Sequence, residues 1–167
     1  MKVSLKEMIC NLSCIEELSP LQYFSQFNVY QNIVLNNKNM ELRNIESTIP
    51  KLQVHSTKII DAKITETIRG TSLEGQYLSG KNLLLVGSLK ASLILNYSIK
   101  NNKNKKTKKR DVADVEIPFS TFIVIPQDIY TDNIDLRYII EDTTVIKITP
   151  NLVLVSITMI IQYLDEH

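Results

Sequence analysis

The feature that most constrains the fold is a long stretch in which apolar and polar side chains alternate. From Leu83 to Ile99, every odd position except Gly87 carries an apolar side chain, and most even positions after Gly87 are polar. Side chains two residues apart share one face of a β-strand, so this spacing predicts a long strand with one buried face. Gly87 interrupts the apolar row, which predicts a bulge or bend there.

Other segments repeat the period of two. They predict strands at Phe27–Leu35, Leu52–Ile64, Val112–Ile125, Ile134–Ile148 and Leu152–Tyr163. Pro118 lacks an amide hydrogen, so it predicts an edge position or a bulge. The turn signal at 149–151 predicts that the last two strands form an antiparallel hairpin. In the first strand of that hairpin, one face is expected to carry Ile134, Leu136, Tyr138, Ile140, Ile146 and Ile148.

Two segments have helical spacing instead. The N-terminal one places apolar side chains three or four apart, at Leu5, Met8, Ile9, Leu12, Ile15 and Leu18. The second is a short helix capped by Asn39, with Leu42, Ile45 and Ile49 on one side. Long strands without intervening long helices favour an all-β fold, mainly an antiparallel β-sandwich or barrel-like, with one or two short helices including this N-terminal candidate.

The chain has 167 residues and is expected to form one domain. We divide it into an N-terminal extension, 1–20, and a β domain, 21–167, with a flexible Lys-rich loop at 100–111. The net charge is +1, but positions 100–110 carry seven basic residues and no acid. Because removing seven positive charges from +1 leaves −6, an acidic body carries one basic segment.

The basic segment has two interpretations. In the simpler one it is a solvated hairpin loop between two long strands. In the other it binds a phosphate-bearing polymer such as a teichoic acid. It contains no aromatic side chains for base stacking, so no nucleic-acid partner is predicted.

Sequence signatures of catalysis are absent. There is no nucleophile elbow, no phosphate-binding glycine loop, no zinc-protease motif and no C-x-x-C pair. His55 lies inside a predicted strand, where a hydrogen-bonded structural role is favoured over a general base. We therefore predict a non-enzymatic protein with no catalytic residue, cofactor or metal. No apolar run is long enough to span a membrane, and no signal peptide is recognised.

The two cysteines, Cys10 and Cys14, lie four residues apart. With only two histidines elsewhere, a four-ligand zinc site from this chain alone is not expected. The thiols are either buried or idle in a reducing cytoplasm, or they form cross-links between molecules.

Three blocks carry a family resemblance. They read VHSTKII at 54–60, GTSLEGQYLSGK at 70–81 and IPFSTFIVIP at 117–126. In wording, order and spacing they resemble the SPOCS domain of clostridial spore-coat-associated proteins, and the likeness extends over about residues 22–164. Phe24–Leu35 is similar to the opening strand of that domain, and Glu141-Asp142 with the closing hairpin is similar to its ending.

The resemblance implies a non-catalytic structural or assembly protein of the bacterial endospore envelope, in the coat, exosporium or a spore appendage. It would be made in the mother-cell cytoplasm and then reside in the spore surface layers. Its partners would be other envelope proteins or copies of itself, in a homo-oligomer or polymer. The alternative function is binding of an anionic cell-wall or spore-surface polymer through the Lys-rich loop. A third hypothesis, an enzyme, would rest on a site around His55 and Glu74.

The motif residues have expected roles within this resemblance. The residues expected to fix a compact connection are Gly70, Thr71, Ser72, Leu73 and Gly75. In the PFSTF block, Pro118 to Phe122, Phe119 and Thr121 share one face while Ser120 and Phe122 share the other, so one Phe packs inside and the other meets a second layer. The interaction or cross-link candidates are Cys10, Cys14, Glu74, Lys103, Lys105, Lys106, Lys108, Lys109 and Arg110.

Overall fold

The computed structural model describes residues 2–7, 22–35, 40–61, 79–100, 106–129 and 133–164. These residues form eight β-strands in two sheets, and no helix occurs among them, so the all-β class is confirmed. The strands are β1 (Lys2–Glu7), β2 (Phe24–Val34), β3 (Met40–Ser47), β4 (Lys51–Asp61), β5 (Lys81–Lys100), β6 (Lys106–Val124), β7 (Asn133–Thr149) and β8 (Leu152–Tyr163).

The two sheets differ in how their strands are arranged. Sheet A has the order β1-β7-β8-β2, with β1 parallel to β7 and the other pairs antiparallel. Sheet B is built around β5, which pairs with β6 along one side. Its other side is shared, because β4 pairs with residues 81–90 of β5 and β3 pairs with residues 93–99. The predicted hairpin of β7 and β8 is confirmed.

The core draws on both sheets. The inward side chains of β5 from Leu83 to Tyr97 and those of β8 are buried, as the period of two requires, and with their neighbours they form one hydrophobic cluster. Phe27 of sheet A and Phe119 of sheet B meet in this cluster with ring centroids 5.3 Å apart. This aromatic pair therefore joins the two sheets.

Both predicted helices are wrong where the structure describes them. Lys2–Glu7 is a strand paired in register with β7, while the rest of the predicted N-terminal helix lies outside the described residues. The helix capped by Asn39 is replaced by β3. A register shift between Leu42 and Asn44 places Leu42 opposite Tyr97 and Ile45 opposite Leu95, two buried residues of one face. The bulge thus puts side chains three residues apart on one face, which imitates helical spacing.

The irregularity predicted at Gly87 lies in its partner strand. The β5–β6 register runs without a shift through Gly87, whereas β4 shifts between Val54 and Ser56, opposite Gly87. A Cβ on Gly87 would collide with the carbonyl oxygen of Gln53. The glycine therefore permits the close approach of β4 rather than a bend of its own strand.

The predicted face of β7 is correct only for its first half. Ile134, Leu136 and Tyr138 are buried, but Ile146 and Ile148 are 48% and 52% exposed. A register shift between Ile140 and Asp142 reverses the alternation, because one extra residue moves the side chains that follow to the other face. Ile148 lies at a second shift, between Lys147 and Thr149.

Candidate interaction surface

Residue 100 and residues 106–111 lie in strands, so the loop predicted at 100–111 is wrong there, and residues 101–105 lie outside the described residues. Lys106, Lys108, Lys109 and Arg110 are exposed residues of β6, and Lys100 belongs to β5. The two strands stay in register over this part, with Arg110 opposite Asn96 and Lys108 opposite Ser98. The polar partners on β5 therefore extend the ladder into the basic segment.

The same strand becomes acidic further along. Asp114 accepts a hydrogen bond from Ser92 Oγ at 2.7 Å, and Glu116 accepts one from Ser88 Oγ at 2.7 Å. The exposed face of β6 therefore carries a basic half, with Lys108 and Arg110, and an acidic half, with Asp114 and Glu116. We call this row the β6 charge row; its members are Lys108, Arg110, Val112, Asp114 and Glu116.

A polar cluster crosses sheet B at the acidic half. Ser88 Oγ lies 2.9 Å from His55 Nε2, and Glu116 Oε1 lies 3.7 Å from Lys90 Nζ and 3.9 Å from His55 Nε2. The Ser88 hydrogen bond holds the pKa of Glu116 below its ordinary value, and the positive charge of Lys90 acts in the same direction. The cluster thus favours the ionised carboxylate.

The direction of these hydrogen bonds decides what the cluster does. Ser88 gives its only hydroxyl proton to Glu116, so His55 Nε2 must act as the donor toward Ser88. A general base for serine would need the opposite arrangement, with the imidazole accepting the hydroxyl proton. This geometry supports a structural role for His55, which lies at the bulge of β4 and links that strand to β5 and β6.

A groove of about 950 Å³ lies beside this cluster. It is bordered by Thr48 and Ile49 between β3 and β4, by residues 51–53 at the start of β4, and by residues 90–92 and 114–116 of the two long strands. Thr48 closes the sheet there, because its N–H donates to Ser92 O and its Oγ1 accepts from Ser92 N, both at 2.9 Å. The acidic half of the β6 charge row therefore forms one wall of the groove.

The PFSTF block has the two faces that the sequence predicts. Phe119 is buried and Thr121 is hydrogen-bonded to Ser25 of β2, with the two hydroxyl oxygens 2.7 Å apart. Ser120 is exposed, and Phe122 is 59% exposed, so no second layer covers Phe122 among the described residues. Pro118 lies on an edge strand as expected, because β6 has β5 as its one ladder partner in the described part of the chain.

Several side-chain contacts were not predicted. Lys81, the last residue of the GTSLEGQYLSGK block, is buried, and its Nζ donates to Gln127 O at 2.8 Å and to Ile129 O at 3.2 Å. The partners of His55, namely Ser88 and Glu116, were also missed. The only sequence signal for them is that both lie at polar positions of alternating strands, and the register that joins them is not visible in the sequence.

The other candidates cannot be placed. Outside the described residues lie Cys10, Cys14, Gly70, Thr71, Ser72, Leu73, Glu74, Gly75, Lys103 and Lys105. Within the described ranges, no group of three or more His, Cys, Asp or Glu residues is arranged to hold a metal ion. In the same ranges, no helix of a length and hydropathy suited to crossing a membrane is found.

Comparison with known proteins gives no relative. No family model, curated protein or solved structure matches this chain.

Proposed function

We propose that this chain is a non-catalytic structural protein of the bacterial endospore envelope, in the coat, exosporium or a spore appendage. It acts by binding copies of itself and other envelope proteins. The resemblance of its three sequence blocks to the SPOCS domain supports the setting. The mode of action is supported by the sheet edges that the described residues leave open.

The open edges are the observation that carries the proposal. In the described residues, β1 and β2 terminate sheet A and β6 borders sheet B, with β2 packed against β6 at Phe119 and Thr121. An edge strand presents unpaired backbone N–H and C=O groups, which can pair with a strand of another molecule. Assembly of this kind uses backbone hydrogen bonds and needs no covalent step.

We further propose that the two sheets pack face to face as a β-sandwich. This arrangement is supported by the buried side chains of β5 and β8, which belong to one hydrophobic cluster. The Phe27–Phe119 ring contact and the Ser25–Thr121 hydrogen bond join the two sheets along one side, between β2 and β6. A sandwich leaves its edges available, whereas a closed barrel removes them. The sandwich and the assembly role therefore support each other.

The test is the size of the purified protein. Light scattering and negative-stain microscopy are done across protein concentrations, at low and high salt, with and without reductant. We expect oligomers or polymers that grow with concentration. If reductant dissolves them, a Cys10→Ser/Cys14→Ser variant should behave like the reduced protein. A monomer under all conditions would contradict self-assembly.

The spore setting needs a separate test. A fluorescent fusion expressed in a sporulating clostridial cell is expected to form a ring around the developing spore. An even distribution through the mother cell, with none on the released spore, would contradict the envelope assignment.

A second candidate function is binding of an anionic cell-wall or spore-surface polymer. It is favoured by the exposed basic half of β6, which groups Lys106, Lys108, Lys109 and Arg110 on one strand. Binding to purified teichoic acid should then fall steeply with salt and disappear when these four residues become Gln. The matched control replaces four other exposed lysines, Lys2 and Lys6 of β1 and Lys51 and Lys58 of β4, by Gln. Salt-independent binding would exclude this function.

A further inference from the structure

We propose that two copies of this chain pair through β6, antiparallel, about a two-fold axis at Val112. The inference rests on the proposed self-assembly and names its interface. Sheet B of one copy would continue into sheet B of the next, and the same strand would be used on both sides, as a two-fold interface requires.

The backbone groups of the β6 charge row point away from β5, to the edge that the described residues leave open. In an antiparallel ladder, the N–H and C=O of successive residues point alternately toward and away from the partner strand. Ser92 directs its N–H and C=O to Thr48, away from β6, so the opposite residue, Asp114, directs its own groups away from β5. Ile125, an odd-numbered residue, donates its N–H to Lys81 O on β5. Odd-numbered residues therefore direct their backbone groups toward β5, and even-numbered residues direct theirs away from it.

The same alternation of backbone directions holds along all of β6, because the β5–β6 register has no shift. All five residues of the charge row are even-numbered, so each directs its N–H and C=O away from β5. The N–H of Val112 donates to Asp111 Oδ1 at 2.9 Å, and pairing with a second copy would replace this hydrogen bond by one to the facing strand. Pro118 has the same parity and has no N–H, so it ends the row of donors. The available ladder runs from Lys106 to Pro118, about 40 Å at 3.4 Å per residue.

In one register, each charged residue of the β6 charge row lies opposite a residue of the opposite charge in the second copy. With the axis at Val112, Lys108 faces Glu116 of the second copy and Arg110 faces its Asp114, and the two-fold axis repeats both pairs. Val112, which is 58% exposed, then packs against itself. Opposite charges placed directly across a sheet stabilise the pairing, and like charges destabilise it.

Pairing in neighbouring registers is less favourable electrostatically. An axis at Asp111 or Asp114 sets a carboxylate against its own copy, and an axis at Arg110 does the same with guanidinium groups. An axis at Ala113 keeps Arg110 opposite Glu116 but sets Val112 against Asp114. Charged edge strands usually prevent pairing with other chains. Here the charges prevent the other registers and permit one.

The first experiment uses Val112→Cys in a Cys10→Ser/Cys14→Ser background. Facing hydrogen-bonded residues have Cα atoms about 5.5 Å apart, within the range of a disulfide. We expect mild oxidation to give a covalent dimer. Arg110→Cys, in the same strand but not facing its own copy, and Phe122→Cys, exposed but beyond the ladder, are the controls expected to cross-link at least ~10-fold more slowly.

The second experiment reverses charges. Lys108→Glu/Arg110→Glu makes the row acidic, and Asp114→Lys/Glu116→Lys makes it basic, so each variant alone should dimerise at least ~10-fold more weakly than wild type. An equimolar mixture should recover the dimer as a heterodimer. Lys51→Glu/Lys58→Glu, on β4, controls for net charge, and circular dichroism checks that each variant is folded.

The outcomes separate the interface from the assembly role. Wild type that assembles while Val112→Cys gives no more dimer than Phe122→Cys, and while the mixture gives no heterodimer, would overturn the β6 interface and leave self-assembly standing. Wild type that stays monomeric at every concentration would overturn both. A Val112→Cys dimer together with heterodimer recovery would support the register described here.

Discussion

Gly87 lies directly opposite Phe119 in the β5–β6 ladder, and a methyl group on Gly87 would come within 2.8 Å of Phe119 Cζ. The ring covers the glycine, and the carbonyl oxygen of Gln53 approaches the same Cα from β4. The position therefore has no space for a side chain, and the IPFSTFIVIP block and β5 depend on each other there.

Gly87→Ala is expected to lower the free energy of unfolding by about 1–3 kcal/mol, the usual cost of overpacking a filled core. Urea unfolding followed by circular dichroism measures it. Adding Phe119→Leu should recover part of the loss, because the ring is one of the two obstacles, and the backbone of Gln53 should keep the rest. A wild-type midpoint for Gly87→Ala would show that the strands separate easily at this point.

The two phenylalanines of the PFSTF block are expected to differ strongly. Phe119 is 7% exposed and contacts Phe27 across the sheets, so Phe119→Ala should cost about 3–5 kcal/mol of unfolding free energy. Phe122→Ala, three residues away on the opposite face, should change it by less than about 0.5 kcal/mol. Equal losses in urea unfolding would mean that Phe122 is covered by another part of the protein.

The same block shows what the sequence could predict. Alternation assigned Phe119 and Phe122 to opposite faces correctly, since a strand has a fixed period of two. It also located β8 and the β7–β8 hairpin. Alternation fails where a bulge changes the phase, as at Glu141 in β7, because the extra residue leaves no mark in the sequence.

The polar cluster was beyond prediction for a different reason. His55 was recognisable, but its partners Ser88 and Glu116 come from two other strands. Which residues face each other depends on register, and register is set by packing of the whole sheet. The β6 charge row was missed likewise, since the basic residues were assigned to a loop and separated from the acids that follow them.

Lys81 is expected to be the most sensitive of the described lysines. It is buried, and its Nζ donates to the carbonyl groups of Gln127 and Ile129. Lys81→Met keeps much of the volume but leaves these acceptors without that donor, so we expect a loss of about 2–3 kcal/mol in urea unfolding. Lys58→Met, at an exposed position of β4, is the control and should be nearly neutral. Similar effects of the two substitutions would mean that Lys81 does not fix the 127–129 segment.

Glu116 is expected to make stability depend on pH on the acid side. Its pKa is lowered in the folded protein, mainly by the Ser88 hydrogen bond. A lowered carboxyl pKa contributes stability that is present above the unfolded value and is lost as pH falls through the folded value. Thermal unfolding between pH 6 and pH 2.5 should therefore show a smaller decline for Glu116→Gln than for wild type. Glu46→Gln, on β3, is the control, and parallel curves for Glu116→Gln and wild type would contradict the contribution of the cluster.

Tyr138 is expected to make stability depend on pH on the alkaline side. Burial raises the pKa of its phenol, the carboxylate of Glu7 raises it further, and a hydrogen bond with the backbone of Leu52 opposes them. A raised pKa contributes stability that is complete below the unfolded value, about 10, and is lost as pH rises through the folded value. Between pH 9 and pH 11.5, Tyr138→Phe should therefore lose less stability than wild type in urea unfolding. Tyr30→Phe, at an exposed position of β2, should follow wild type, and a Tyr138→Phe curve that also follows wild type would show that this phenol is accessible to water in the folded protein.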